Sequence, residues 1–159
     1  MQDQTQSGGG VRAGRPVRVW LVDDNEAFRL PCALLLQREH GFVCDRQFGT
    51  AEELIAALRQ MPGPDAILLD IGLPGMSGVD ALKTVKSLSS GTAVLMYSTF
   101  GNPADEARAR ADGACGCFAK HESFEVVASA LLAAVRAGDP AASVAQGRLA
   151  GEKNLGWVG

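Results

Sequence analysis

Four short segments of this chain carry side chains that could do chemistry together: Asp23-Asp24, Asp70, Ser98-Thr99 and Lys120. They supply three carboxylates, two adjacent hydroxyls and an ammonium. Three carboxylates sharing one small site cannot stay uncompensated, because like charges raise one another's pKa. A hard, oxygen-seeking ion such as Mg2+ would hold them while keeping several waters, and Mn2+ is an alternative. A carboxylate beside such an ion can act as a nucleophile toward phosphorus, and the ion then neutralises the phosphoryl oxygens. Lys120 would add a second positive charge and a hydroxyl a hydrogen bond.

Each of these segments ends or follows a short apolar run, and that placement is what brings them together. Val17–Val22 is a strand-like run closing on Asp23-Asp24. Ala66–Asp70 is apolar until its terminal aspartate, Ala93–Ser98 ends in the hydroxyl, and Cys115–Ala119 is followed by Lys120. Phe42–Gln47 is a further strand. Between them lie helical patterns. Ala27–Glu39 has a stripe of Phe28, Cys32, Leu35 and Leu36, with Pro31 placed in or near its first turn. Thr50-Ala51-Glu52-Glu53 fits a capping box. Ser77 caps Val79–Leu88, and Asn102-Pro103 opens a helix to Asp112. Phe124, Val127, Ala128, Leu131, Leu132 and Val135 form an amphipathic stripe.

Five strand–helix units in a row predict an α/β fold, with strands buried on both faces and right-handed crossovers building an open parallel sheet. In such a sheet, sites form at the carboxyl ends of the strands. A lone aspartate after a strand is ordinarily a turn or cap residue. Several carboxylates, a hydroxyl and a lysine on one rim are much harder to explain that way.

The chain has 159 residues, 47% hydrophobic and 21% charged, with formal net charge -3. That suits one soluble domain and gives no strong pull toward nucleic acid or an anionic membrane. No apolar run reaches the ~18 residues of a membrane span. The N-terminal stretch lacks the apolar region of a signal peptide, so a cytoplasmic location is expected. Cys32, Cys44, Cys115 and Cys117 are expected reduced and mostly buried. The Cys115-Gly-Cys117 spacing matches neither CxxC nor a paired zinc motif. Residues 1–16 are polar and glycine-rich and predict a disordered arm. Residues 17–137 form the domain, and residues 138–159 a flexible tail with a short helix near Ala141–Leu149.

The blocks Val19-Trp20-Leu21-Val22-Asp23-Asp24, Leu68 to Gly78 around Asp70, Ser98, and Gly113 to Lys120 together resemble the receiver domain of two-component response regulators. The Asp70 loop most resembles receivers that carry a helix-turn-helix DNA-binding output. The resemblance implies a (βα)5 doubly wound sheet of flavodoxin-like order 2-1-3-4-5. It implies that Asp70 accepts a phosphoryl group from a histidine kinase or a histidine phosphotransfer protein. Asp23, Asp24, Asp70 and the backbone carbonyl of Gly72 would bind Mg2+. Ser98 would turn toward the phosphoryl group and Lys120 would pair with it.

The sequence departs from that pattern at several positions. Where the family commonly has a switch aromatic, three residues before the lysine, Cys117 stands, and Phe118 follows one step later. One step along a strand points to the opposite face, so Phe118 is expected in the core and Cys117 at the surface near the fourth helix. Thr99 borders the pocket where a very small residue is usual. Gly72 has no side chain to position a water and Phe100 could shield an acyl phosphate, so slow loss of phosphate is expected. The fourth helix has only alanines on its inner face, with Glu106–Arg110 and Arg108–Asp112 pairs available. That composition suits either an ordinary solvated helix or a mobile element for switching.

Rival readings are weaker. A haloacid dehalogenase-like phosphatase resembles DxDx[TV] after its first strand, where this chain has Asp23-Asp24-Asn25-Glu26. A dinucleotide site needs GxGxxG there. A pseudo-receiver, acting only through protein contacts, would lack an acidic residue or Lys120. Residues 138–159 show no helix-turn-helix pattern. The expectation is therefore a stand-alone signalling receiver rather than an enzyme, with a pseudo-receiver interaction module that is not phosphorylated, or the receiver fragment of a DNA-binding regulator, as the alternatives. A homodimer through the fifth helix or the fourth-helix face is left open.

Overall fold

The computed structural model describes residues 15–39, 41–99 and 101–138. Among the described residues, five strands alternate with five helices: β1 (Val17–Val22), α1 (Glu26–Arg38), β2 (Phe42–Phe48), α2 (Ala51–Gln60), β3 (Ala66–Asp70), α3 (Gly78–Leu88), β4 (Ala93–Ser98), α4 (Pro103–Ala111), β5 (Gly116–Ala119) and α5 (Phe124–Ala137). All strand pairings are parallel, in the order β2-β1-β3-β4-β5. This is the flavodoxin-like (βα)5 sheet that the resemblance implied. The expected tail helix and all of the arm except Arg15 and Pro16 lie outside the described residues. Arg15 is tied to Asp65 at 3.0 Å.

The sheet has an apolar layer on each face. Strand alternation sends Trp20, Val22, Ile67, Leu69, Val94, Met96 and Cys117 toward α2, α3 and α4. Val19, Leu21, Leu68, Leu95, Tyr97 and Phe118 point toward α1 and α5. β1, β3 and β4 are covered on both sides, which is why they read as unbroken apolar runs. β2 is an edge strand, and its Asp45, Arg46 and Gln47 are exposed. Its pairing with β1 slips by one residue between Val19 and Trp20, and Asp45 at the slip bonds the Arg18 guanidinium at 3.0 Å.

The helix starts follow their caps. Asn25, Thr50, Ser77, Asn102 and Ser123 each accept a backbone N–H in the first turn of the helix that follows. In the box at α2, Glu53 returns its bond to the N–H of Gly49, one residue earlier than the usual partner. Pro31 differs from expectation. It is the sixth residue of α1, beyond the first turn, and leaves one helical hydrogen bond unmade. Arg108 also differs: its guanidinium reaches Asp80 on α3 at 2.6 Å instead of Asp112 on its own helix. The opposite charge on the neighbouring helix is within reach, and the Asp112 N–H closes α4 instead.

Candidate functional site

The carboxyl ends of β1, β3, β4 and β5 meet on one rim. Asp23 follows β1 and is buried; Asp70 ends β3 and is buried; Asp24 is exposed. Each of the three carboxylates offers an oxygen within 4.8 Å of the others. Lys120, one residue past β5, places Nζ 2.6 Å from Asp23 Oδ2 and 3.3 Å from Asp70 Oδ2. A backbone bond from the Lys120 N–H to the Ser98 carbonyl, 2.8 Å, aligns these two residues across the strand ends. Ser98 is buried and Thr99 exposed. Phe100 lies outside the described residues.

Local bonds fix the acidic groups. The Asn25 N–H donates to Asp23 Oδ1 at 2.8 Å, and the Gly72 N–H to Asp70 Oδ1 at 3.1 Å. The loop after β3 closes through the Gly78 N–H to the Ile71 carbonyl, 3.0 Å. A Cβ at Gly78 would overlap the Asp70 carbonyl oxygen, so only glycine lets α3 begin this close to the site. Gly75 turns the loop at φ 74°.

Several supporting residues escaped sequence reasoning. Arg29 donates to the Asp23 carbonyl at 2.6 Å, and Glu52 of α2 accepts the Met76 N–H at 3.1 Å. The Phe28 ring lies under Lys120, with Nζ 4.6 Å from its centroid. All three reach across elements, and helical spacing alone gives no signal for such contacts.

Burial pushes the Asp70 carboxyl up and the Asp23 charge adds to this, while Lys120 and the Gly72 N–H pull it down; the net shift is upward. Burial would lower the Lys120 ammonium, but its bonds and charge contacts with Asp23 and Asp70 outweigh this, and it is raised. The result is a cation held firmly between two carboxylates. The oxygen-only acidic set suits a hard divalent cation, with an open, exposed side at Asp24.

Cys117 faces the α4 side of the sheet, as alternation requires, but it is buried rather than at the surface. It packs in the same cluster as Ala109 and Ala114, whose small side chains let that layer close over it. Phe118 is buried on the opposite face, as expected.

Residues 19–132 match the family model described as the response regulator receiver domain. A protein of Pseudomonas aeruginosa bearing a transcriptional-regulator name is 36% identical over 121 residues, covering 76% of this chain and 55% of that protein. A Mycobacterium tuberculosis protein named for the NarL transcriptional regulator is 34% identical over 140 residues, covering 86% and 62%. The chain therefore spans little more than half the length of these relatives. The solved signal receiver domain of the M. tuberculosis NarL protein superposes with TM-score 0.65 at 30% identity, covering 74% of this chain and 94% of that one.

Proposed function

The chain belongs to the response regulator receiver domain family, and on that premise we propose that Asp70 accepts a phosphoryl group from the phosphohistidine of a sensor histidine kinase or a histidine phosphotransfer protein. Receiver domains are signalling domains rather than classical enzymes, and this one would act in the cytoplasm by changing its protein contacts. One observation carries the reading: Asp70 is buried, its two oxygens are engaged by the Gly72 N–H and Lys120, and Asp23 and Asp24 stand beside it.

In the proposed reaction an Asp70 oxygen attacks phosphorus, and the phosphorus–nitrogen bond to the donor histidine breaks with its electron pair going to nitrogen. Asp23, Asp24, Asp70 and the Gly72 carbonyl would hold Mg2+ or Mn2+, which supplies positive charge to the phosphoryl oxygens. Lys120 meets the charge on the other side, and Ser98 donates a hydrogen bond once the group is in place. Asn25 and Arg29 keep Asp23 oriented throughout.

A second reading is supported by the chain spanning 55% and 62% of two transcriptional regulators: this receiver would then govern a DNA-binding output. The chemistry at Asp70 is the same in both. A sensor kinase carrying labelled phosphohistidine tests it. Label should pass to the wild-type chain only with a divalent cation, and not to Asp70→Asn. Equal labelling of Asp70→Asn contradicts the proposal.

A further inference from the structure

We propose that Phe28 is a positioning residue for Lys120, its ring face seating the ammonium at the phosphoacceptor site. The inference rests on the function proposed for Asp70. Nζ lies 4.6 Å from the Phe28 centroid, within the range of a cation–π contact. An ammonium has three N–H donors. Asp70 Oδ2 accepts one at 3.3 Å, Asp23 Oδ2 lies in ion-pair contact at 2.6 Å, and the ring covers a further side of the ammonium. The Lys120 side chain is accordingly only 14% exposed.

The ring is itself held from two directions. Tyr97 packs behind it, with centroids 5.5 Å apart and planes tilted 55°. The Tyr97 hydroxyl is anchored by a 3.3 Å contact with Cys32 Sγ, also on α1. Phe28 sits in the first turn of α1, and its N–H bonds the carbonyl of the cap residue Asn25. The Asn25 N–H in turn holds Asp23 Oδ1. The seat and the carboxylate that Lys120 pairs with are thus fixed to the same turn.

Phe28→Leu keeps an apolar side chain but removes the ring face, and Phe28→Tyr restores it. Three quantities decide the proposal: the phosphorylation rate at saturating acetyl phosphate, the Mg2+ affinity, and the proton shift of the Lys120 ε-methylene. In the wild type that methylene should be moved upfield by the ring. Phe28→Leu should lose this shift and slow phosphorylation about three- to thirtyfold with Mg2+ affinity unchanged. Phe28→Tyr should recover both. An ordinary ε-methylene shift in the wild type overturns the proposal, as does a wild-type rate in Phe28→Leu or a loss that Phe28→Tyr does not recover. If no donor phosphorylates the wild type, the function proposed for Asp70 fails, and the methylene shift still decides whether the seat exists.

Discussion

The surroundings of Asp70 push its carboxyl up: burial and the neighbouring Asp23 favour the neutral form more than Lys120 and the Gly72 N–H favour the charged one. A carboxyl whose folded pKa is raised contributes stability in its protonated form. That contribution is full below the ordinary value of 3.8 and is lost as pH rises through the folded value. An asparagine at this position would carry no such penalty and could still accept the Gly72 N–H. Asp70→Asn should therefore raise Tm at neutral pH in the absence of divalent cations. The gain should shrink as pH falls toward the ordinary carboxylate range. Thermal melts at several pH values check this, and an unchanged or lower Tm at neutral pH contradicts it. The site residues themselves were legible because each stands at the end of an apolar run. Phe28, Arg29 and Glu52 were not, since their roles depend on which neighbouring element their side chains meet.

At the scale of elements, the start of α3 is the tightest junction near the site. Propensity alone makes Gly78→Ala favourable by about 0.5–1 kcal/mol in a helix. The Asp70 carbonyl, which the new Cβ would overlap, reverses the sign. Gly78→Ala should destabilise by about 1–3 kcal/mol, as overpacking does, with a lower denaturant midpoint as the check. Helix α4 is the opposite case. Its one buried residue is Ala109; Glu106 pairs with Arg110 at 2.5 Å, part-buried, and Arg108 with Asp80 at the exposed surface. The exposed pair adds little. Amide exchange in α4 should therefore be faster than in α3, which buries Val79, Ala81, Leu82 and Val85. The sequence showed the alanine face of α4 but not the Arg108–Asp80 bond, because that depends on how two helices lie against each other.

Across the whole molecule, the two apolar layers follow from the alternation of β1, β3, β4 and β5, and apolar runs bounded by turns were enough to find those strands. The order β2-β1-β3-β4-β5 is a different matter. Periodicity assigns faces, not neighbours, and the order was available only through the family resemblance. The polar face of Asp45, Arg46 and Gln47 is consistent with β2 as an edge, and the register slip at Asp45 had no sequence signal. Cys117 shows the same limit at closer range: its side of the sheet was readable, but its burial depended on how near Ala109 and Ala114 approach. What the assembled sheet achieves is the convergence of four strand ends on Asp23, Asp70, Ser98 and Lys120. The most direct test of that convergence is intact mass after incubation with Mg2+ and acetyl phosphate. The wild type should gain one phosphoryl group and lose the gain when the divalent cation is chelated beforehand, while Asp70→Asn gains none. A wild-type chain that takes up no phosphoryl group, or an Asp70→Asn chain that takes up as much, would contradict the central claim.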